Sequence, residues 1–290
     1  MKFSKINYAM LAMLAMSAEG KQEASCSSDD MVVFGDSFSD TGNLFAITAG
    51  AVPPGPPYTA GRFTNGNVWV EYLADLMKLN PPAPAYDSAN PGGTNYAIAG
   101  SASGSDETIT WTPALTGDPT TELPAKGVRL QVSDFLKHCG VVNCCSSGMF
   151  FVIFVGANDF GLLGVGPNYE NTIIQNIKDS IEDLISEAGA TKILVLNLPQ
   201  IAGTPAAVGT YKSLFISQTL PDDLMGSVVM YNKRLEDVLK IIDADNKDVN
   251  IIHADIASLM NEAASNPAKF GLDDTKNTGI ATLNETALFL

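Results

Sequence analysis

The stretch VVFGDSFSDTGN, residues 32–43, decides how the rest of the chain is interpreted. The apolar run from Met31 to Phe34 is typical of a short buried strand, and mostly small and polar residues follow it. Two interpretations are open. Either the polar residues form an ordinary turn, or Ser37 sits between a strand and the start of a helix, where its backbone N–H and the helix dipole could stabilise negative charge.

Apolar strands and amphipathic helices alternate along the chain. Helical patterns are predicted at residues 67–79, 128–136, 169–187 and 224–242, and strands at 31–34, 94–100, 149–156, 192–198 and 249–256. Strands that are apolar on both faces, separated by such helices, indicate a parallel sheet covered on both sides. We therefore predict an α/β fold with three layers, α/β/α, around a mostly parallel five-stranded sheet.

Polar residues and glycines follow four of the predicted strands, as GDS at 35–37, AGSAS at 99–103, GAND at 156–159 and NLPQ at 197–200. Ligands of such sheets bind outside the carboxyl ends of the strands. Residues 51–66 and 101–127 lack clear periodicity and are predicted to be long loops that shape a pocket. The sequence thus places a site at the carboxyl edge of the sheet.

Charge and composition exclude several classes of function. The chain has 17 basic and 32 acidic residues, a formal charge of −15, which disfavours binding to nucleic acid or to anionic lipid. Only two histidines occur, and the cysteines lack the spacing of a zinc site, so we expect no metal site. We expect one domain and a monomer.

The first 18 residues have the order of a secretory signal peptide, with Lys2 and Lys5 before an apolar run; a frayed N-terminal helix is the alternative. No later stretch is long and apolar enough to span a bilayer. We therefore expect a secreted, extracellular protein. Its four cysteines would then form disulfides, and Cys139 can pair locally with Cys144 or Cys145.

Several stretches in order resemble blocks of the GDSL esterase/lipase family, also called SGNH hydrolases. They are FGDSFSDTGN, GRFTNG, NYAIAGSAS, VGAND, LNLPQIAGTP and YNKRLEDVL. The resemblance covers most of the chain from about residue 31 onward, and we assign residues 28–290 to this hydrolase domain.

The resemblance implies hydrolysis of carboxylic esters, either lipid acyl esters or acetyl esters of polysaccharides. Ser37 would be the nucleophile, and its N–H, the Gly100 N–H and the Asn158 side chain would form the oxyanion hole. Asp36 would fix the turn around Ser37, and Asp159 would orient its loop. The resemblance implies no metal and no organic cofactor for this reaction.

The chain departs from the family pattern at Phe38, where the family name has Leu, and it contains no Asp-x-x-His, the segment that supplies the family's catalytic base. The simplest expectation is that a C-terminal portion is absent, which would leave this chain nearly inactive. Substitution of the base by His138 or His253 is a second possibility. A third is a non-catalytic module that binds carbohydrate or lipid and has kept the pocket.

Overall fold

The computed structural model describes residues 29–56, 58–110, 122–142, 148–163, 169–200 and 220–272. The strands are β1 (Met31–Gly35), β2 (Thr108–Thr110), β3 (Glu122–Pro124), β4 (Phe150–Phe154), β5 (Lys192–Leu196) and β6 (Asn250–Ala254). The helices are α1 (Asn43–Ile47), α2 (Trp69–Met77), α3 (Val128–Val142), α4 (Ala157–Leu163), α5 (Tyr169–Ala188), α6 (Leu220–Asp245) and α7 (Ile256–Ser265), followed by a 3₁₀ turn at Pro267–Phe270. The predicted signal peptide lies outside these residues.

The main sheet has the strand order β1-β4-β5-β6, and every pair in it is parallel. Phe34 lies beside Ile153, Ile153 beside Val195, and Val195 beside His253. All residues of β1 and β4 are buried. Strands buried on both faces are the reason for the continuous apolar runs in the sequence.

Helices cover both faces of this sheet. On one face Phe135 of α3 packs edge-on against Phe34 and Phe151. On the other face Trp69 of α2 packs against Phe154, whose side chain points opposite to that of its neighbour in the strand. Helix α5 packs between α3 and α6. The predicted three-layer α/β/α fold is confirmed.

The sheet has four strands within the described residues, not the five predicted. Residues 94–98 run beside β1 and begin a parallel ladder, with bonds from Val33 N to Thr94 O, Tyr96 N to Val33 O and Ile98 N to Gly35 O. The ladder lacks the bond from Gly35 N to Tyr96 O, because Gly35 N donates to the side chain of Gln131 instead. The fifth segment therefore makes only one isolated bridge to β1, between Asn95 and Val33.

The structure also bears on the expectations for the loop after residue 101, for the cysteines and for membrane-spanning helices. The region predicted to be a loop after residue 101 contains the antiparallel pair β2–β3. Cys139 is disulfide-bonded. The other three cysteines, Cys26, Cys144 and Cys145, lie outside the described residues, and so the partner of Cys139 is not identified among the described ones. Among the described helices, none combines the length and apolarity needed to cross a membrane.

Gly35 closes β1 at a point where the chain has no room for a side chain. A Cβ at this residue would lie 2.2 Å from the carbonyl oxygen of Phe154. We expect Gly35→Ala to lower the free energy of unfolding by at least about 2 kcal/mol, because the backbone of β4 would have to move.

Gly140, on α3, is the matched control, since a Cβ there meets nothing within 4 Å. Gly140→Ala should raise stability by about 0.5–1 kcal/mol through its higher helix propensity. Urea denaturation of both variants checks the prediction, and equal midpoints would contradict it.

Candidate active site

Ser37 lies in a tight turn directly after β1. The carbonyl oxygen of Asp36 accepts hydrogen bonds from the N–H groups of Ser39 and Asp40, both at 3.0 Å. The expected helix start at Ser37 is wrong, because the next helix, α1, begins only at Asn43. Within the described residues neither the N–H nor the Oγ of Ser37, which is half-buried, has a hydrogen-bond partner.

The turn is held by the buried carboxylate of Asp40. Its Oδ1 accepts the N–H groups of Gly42 and Asn43 at 2.7 and 2.6 Å. Its Oδ2 accepts those of Leu44 at 3.2 Å and Ala99 at 2.8 Å. One side chain therefore joins the Ser37 turn to the residue that precedes Gly100.

Gly100 occupies a turn that begins where residues 94–98 leave β1. Its φ of 92° lies in the region that favours glycine, and its N–H has no acceptor among the residues described. Asn158, in the first turn of α4, donates from Nδ2 to the carbonyl oxygen of Ser101 at 3.0 Å. An amide nitrogen has two hydrogens, so one remains for a ligand.

Asp159 anchors the same loop from the next position. Its carboxylate accepts the N–H of Ser103 at 2.9 Å and the hydroxyl of Ser103 at 2.6 Å. Asn176 of α5 in turn donates to that hydroxyl at 2.9 Å. The side chains of Asn158 and Asp159 thus tie the end of β4 to residues 101–103.

Asp36 is completely buried beside these groups. Its Oδ1 accepts the N–H of Phe38 at 3.0 Å, whereas Oδ2 has no hydrogen-bond partner in the described part of the chain. Burial, with a contribution from the nearby Asp159, raises the pKa of Asp36 to about 7. Burial also raises the pKa of Asp159 to about 6. The site therefore favours the protonated carboxyl of Asp36 in mildly acidic solution.

Gln131 of α3 is a site residue that the sequence patterns did not single out. Its Oε1 accepts the N–H of Gly35 at 2.9 Å, and its Nε2 lies 2.9 Å from the Gly35 oxygen and 3.0 Å from Ser101 Oγ. It is fully buried. An uncharged polar residue on the otherwise apolar inward face of this helix is the one signal that could have identified it.

Neither histidine lies near Ser37. His138 is on α3 beyond Phe135, toward the amino edge of the sheet, whereas Gln131 marks the carboxyl edge. His253 is three strands from β1, which places it about 14 Å away. Burial lowers the pKa of His253, and the negative charge of Glu236 on α6 opposes that shift most strongly. These positions argue against either histidine as a base for Ser37.

The described residues contain no cluster of His, Cys, Asp or Glu that could hold a metal ion. Aromatic side chains form the apolar boundary of the site. Phe38, next to Ser37, stacks on Phe154 with ring centroids 5.1 Å apart. Trp69 donates from Nε1 to Ser39 Oγ at 3.1 Å, so it is a packing and turn-anchoring residue.

The buried carboxyl of Asp36 predicts a pH dependence of stability. Its pKa rises from 3.8 to about 7 on folding, so the unfolded chain loses this proton first and stability falls as pH rises from about 4 to about 7. Asp36→Asn cannot ionise. We expect it to match the wild type in stability at pH 4 and to exceed it by about 2–4 kcal/mol at pH 8.

Urea denaturation of both proteins across this pH range measures the difference. A difference that does not change with pH would contradict a protonated Asp36 in the folded state. Asp87→Asn is the control, because that exposed carboxyl has a lowered pKa and gives no gain at high pH.

Most of the chain is similar in sequence to known proteins. The sequence model of the GDSL-like Lipase/Acylhydrolase family matches residues 31–278. A phosphatidylcholine-sterol acyltransferase from Aeromonas hydrophila is 28% identical over 250 residues, which are 85% of this chain and 64% of that protein. A GDSL esterase/lipase from Arabidopsis thaliana is 26% identical over 272 residues, 84% of this chain and 74% of that protein.

A thermolabile hemolysin from Vibrio parahaemolyticus is 32% identical over 178 residues, 60% of this chain and 35% of its own length. This chain therefore spans about two thirds of the acyltransferase and a third of the hemolysin. Among solved structures, a GDSL-like lipase from Parabacteroides merdae aligns with a TM-score of 0.39 at 12% identity, covering 88% of this chain and 91% of that one. With the family match extending over residues 31–278, the chain belongs to the GDSL lipase/acylhydrolase family.

Proposed function

We propose that this chain carries the ester-hydrolysing site of its family, with Ser37 as the nucleophile. The observation that carries the proposal is the position of Ser37: a hydroxyl without a partner among the described residues, at the carboxyl edge of the sheet, inside the family match. Gly100 and Asn158 are tied to the same edge through Ala99 and Ser101.

The chemistry follows from these groups. Ser37 Oγ attacks the ester carbonyl carbon as a base takes its proton, and the carbonyl oxygen becomes an oxyanion. The N–H groups of Ser37 and Gly100 and the Asn158 amide would donate to that oxyanion. The alcohol leaves with a proton, and water then attacks the acyl-enzyme to release the acid and restore the Ser37 hydroxyl.

Acyl lipids are the substrate class that we favour over acetylated carbohydrates. Support comes from the relatives, because one is named for phosphatidylcholine and sterol as acyl donor and acceptor, and another is a hemolysin. The aromatic pair of Phe38 and Phe154 beside Ser37 offers an apolar contact for an acyl chain.

The proposed reaction needs a base that takes the proton of Ser37. His138 and His253 are the only histidines in the chain, and neither lies beside Ser37. We infer that imidazole added to the buffer would serve as an external base for Ser37, since it supplies the group that general-base catalysis requires.

We also propose that the protein is secreted. The order of charges and apolar residues in positions 1–18 supports this, and so does the disulfide at Cys139, because disulfides persist in oxidising compartments. Sequencing the amino terminus of protein recovered from the culture medium tests it. An uncleaved chain retained inside the cell would contradict it.

Ser37 is tested by covalent labelling. In imidazole buffer, a p-nitrophenyl alkylphosphonate should add one phosphonyl group at Ser37, detected by mass spectrometry of peptides, and Ser37→Ala should not be labelled. Ser258→Ala, which changes an exposed hydroxyl on α7, is the control and should label at the wild-type rate. Labelling at another residue, or none, would contradict the proposal.

The oxyanion hole is tested with Asn158→Ala. Losing one such donor typically slows the chemical step by about 10²–10³-fold, so the labelling rate should fall by about that factor. Asn246→Ala is the matched control, because Asn246 also donates from Nδ2 to a backbone carbonyl, at 2.8 Å, but lies at the end of α6. Equal rates for the two variants would exclude Asn158 from the hole.

Substrate class is tested by comparing phosphatidylcholine vesicles with acetylated xylan at equal ester concentration in imidazole buffer. We expect Ser37-dependent release of fatty acid to exceed Ser37-dependent release of acetate. The reverse order would place the substrate among carbohydrate esters.

A further inference from the structure

We propose that Gln131 is a positioning residue of the Ser37 site, whose carboxamide sets the distance between the nucleophile turn and the oxyanion donors. This inference rests on the proposed function and adds a residue to it. Gln131 touches no reacting atom; it would act through Gly35 and Ser101, to which it is hydrogen-bonded.

The carboxamide of Gln131 pairs with Gly35 as a neighbouring strand would. Oε1 accepts the Gly35 N–H and Nε2 donates to the Gly35 oxygen, both at 2.9 Å. This pairing replaces the bond that would have continued the ladder from β1 to residues 94–98. The chain after Ile98 is thereby released from the strand direction and turns at Gly100.

The same nitrogen reaches the other side of the site. Nε2 lies 3.0 Å from Ser101 Oγ and 2.8 Å from the Lys126 oxygen, and Ser101 Oγ itself donates to that oxygen at 2.8 Å. The carbonyl oxygen of Ser101 also accepts a hydrogen bond from the side-chain amide of Asn158. A continuous set of hydrogen bonds therefore connects Gly35, two residues before Ser37, with Ser101, which adjoins Gly100 and holds Asn158.

Burial makes this arrangement rigid. Gln131 and Ser101 are both fully buried, so water cannot replace a lost partner without opening the core. A shift of about 1 Å between a nucleophile and its oxyanion donors can slow a reaction about 10²-fold, and binding of an apolar substrate need not change. A positioning role therefore predicts a slower chemical step at unchanged affinity.

The chain offers a matched control in Asn232 of α6. Its carboxamide makes the same pair of hydrogen bonds to one residue, accepting from Leu198 N at 2.9 Å and donating to Leu198 O at 2.8 Å. Leu198 follows β5, two strands from β1. Loss of either amide should destabilise the fold, but only Gln131 is connected to the Ser37 site.

The experiment measures phosphonate labelling of Ser37 over a range of reagent concentrations in imidazole buffer, which separates the maximal rate from the half-saturating concentration. We expect Gln131→Met to lower the maximal rate about 10- to 100-fold and to change the half-saturating concentration less than about threefold. Asn232→Leu should leave both constants within about twofold of the wild type, although its melting temperature falls.

Ser101→Ala removes one hydroxyl and should fold even where Gln131→Met does not. Alone it should slow labelling, and in the double variant it should add little to Gln131→Met, because both substitutions break the same connection. Fully additive losses, or a Gln131→Met rate equal to that of Asn232→Leu, would overturn the positioning role and leave Ser37 as nucleophile. Absence of labelling in the wild type would overturn the proposed function itself.

Discussion

The carboxylate of Asp40 accepts four backbone N–H groups, three from the start of α1 and one from Ala99. Residues 40 and 99 are distant in sequence, and this buried charge is satisfied only when the two segments lie together. Burial raises the pKa of Asp40, and the four donors offset part of that rise. An unpartnered carboxylate in the core would cost several kcal/mol, so the Ser37 turn and the Gly100 turn must form as a unit.

The other polar contacts of the site repeat this principle. Asn158 and Asp159 bind residues 101–103 from the end of β4, and Gln131 binds the end of β1 to Ser101. Each connection joins segments that follow different strands. The resulting network is dense and buried, which suits a site that must hold hydrogen-bond donors in place before charge develops on a substrate.

The sequence was sufficient for the fold class and for the edge of the sheet at which the candidate site residues lie. Apolar runs marked the four strands, and Ser37, Gly100 and Asn158 each follow a segment at the same edge. Residues 94–100 were misassigned as a strand because a side chain from α3, Gln131, takes the bond that would have extended it. Such a contact between residues 96 positions apart leaves no local pattern in the sequence. The prediction of a helix start at Ser37 fails for a similar reason, because the side chain of Asp40 holds this turn and no helix follows it directly.

A crystal structure of the protein carrying a phosphonate at Ser37 tests the central claim most directly. The account predicts that one phosphonyl oxygen lies about 3 Å from the backbone nitrogens of Ser37 and Gly100 and from Asn158 Nδ2. An adduct whose phosphonyl oxygens all face solvent, or an Asn158 amide directed away from the phosphorus, would contradict it.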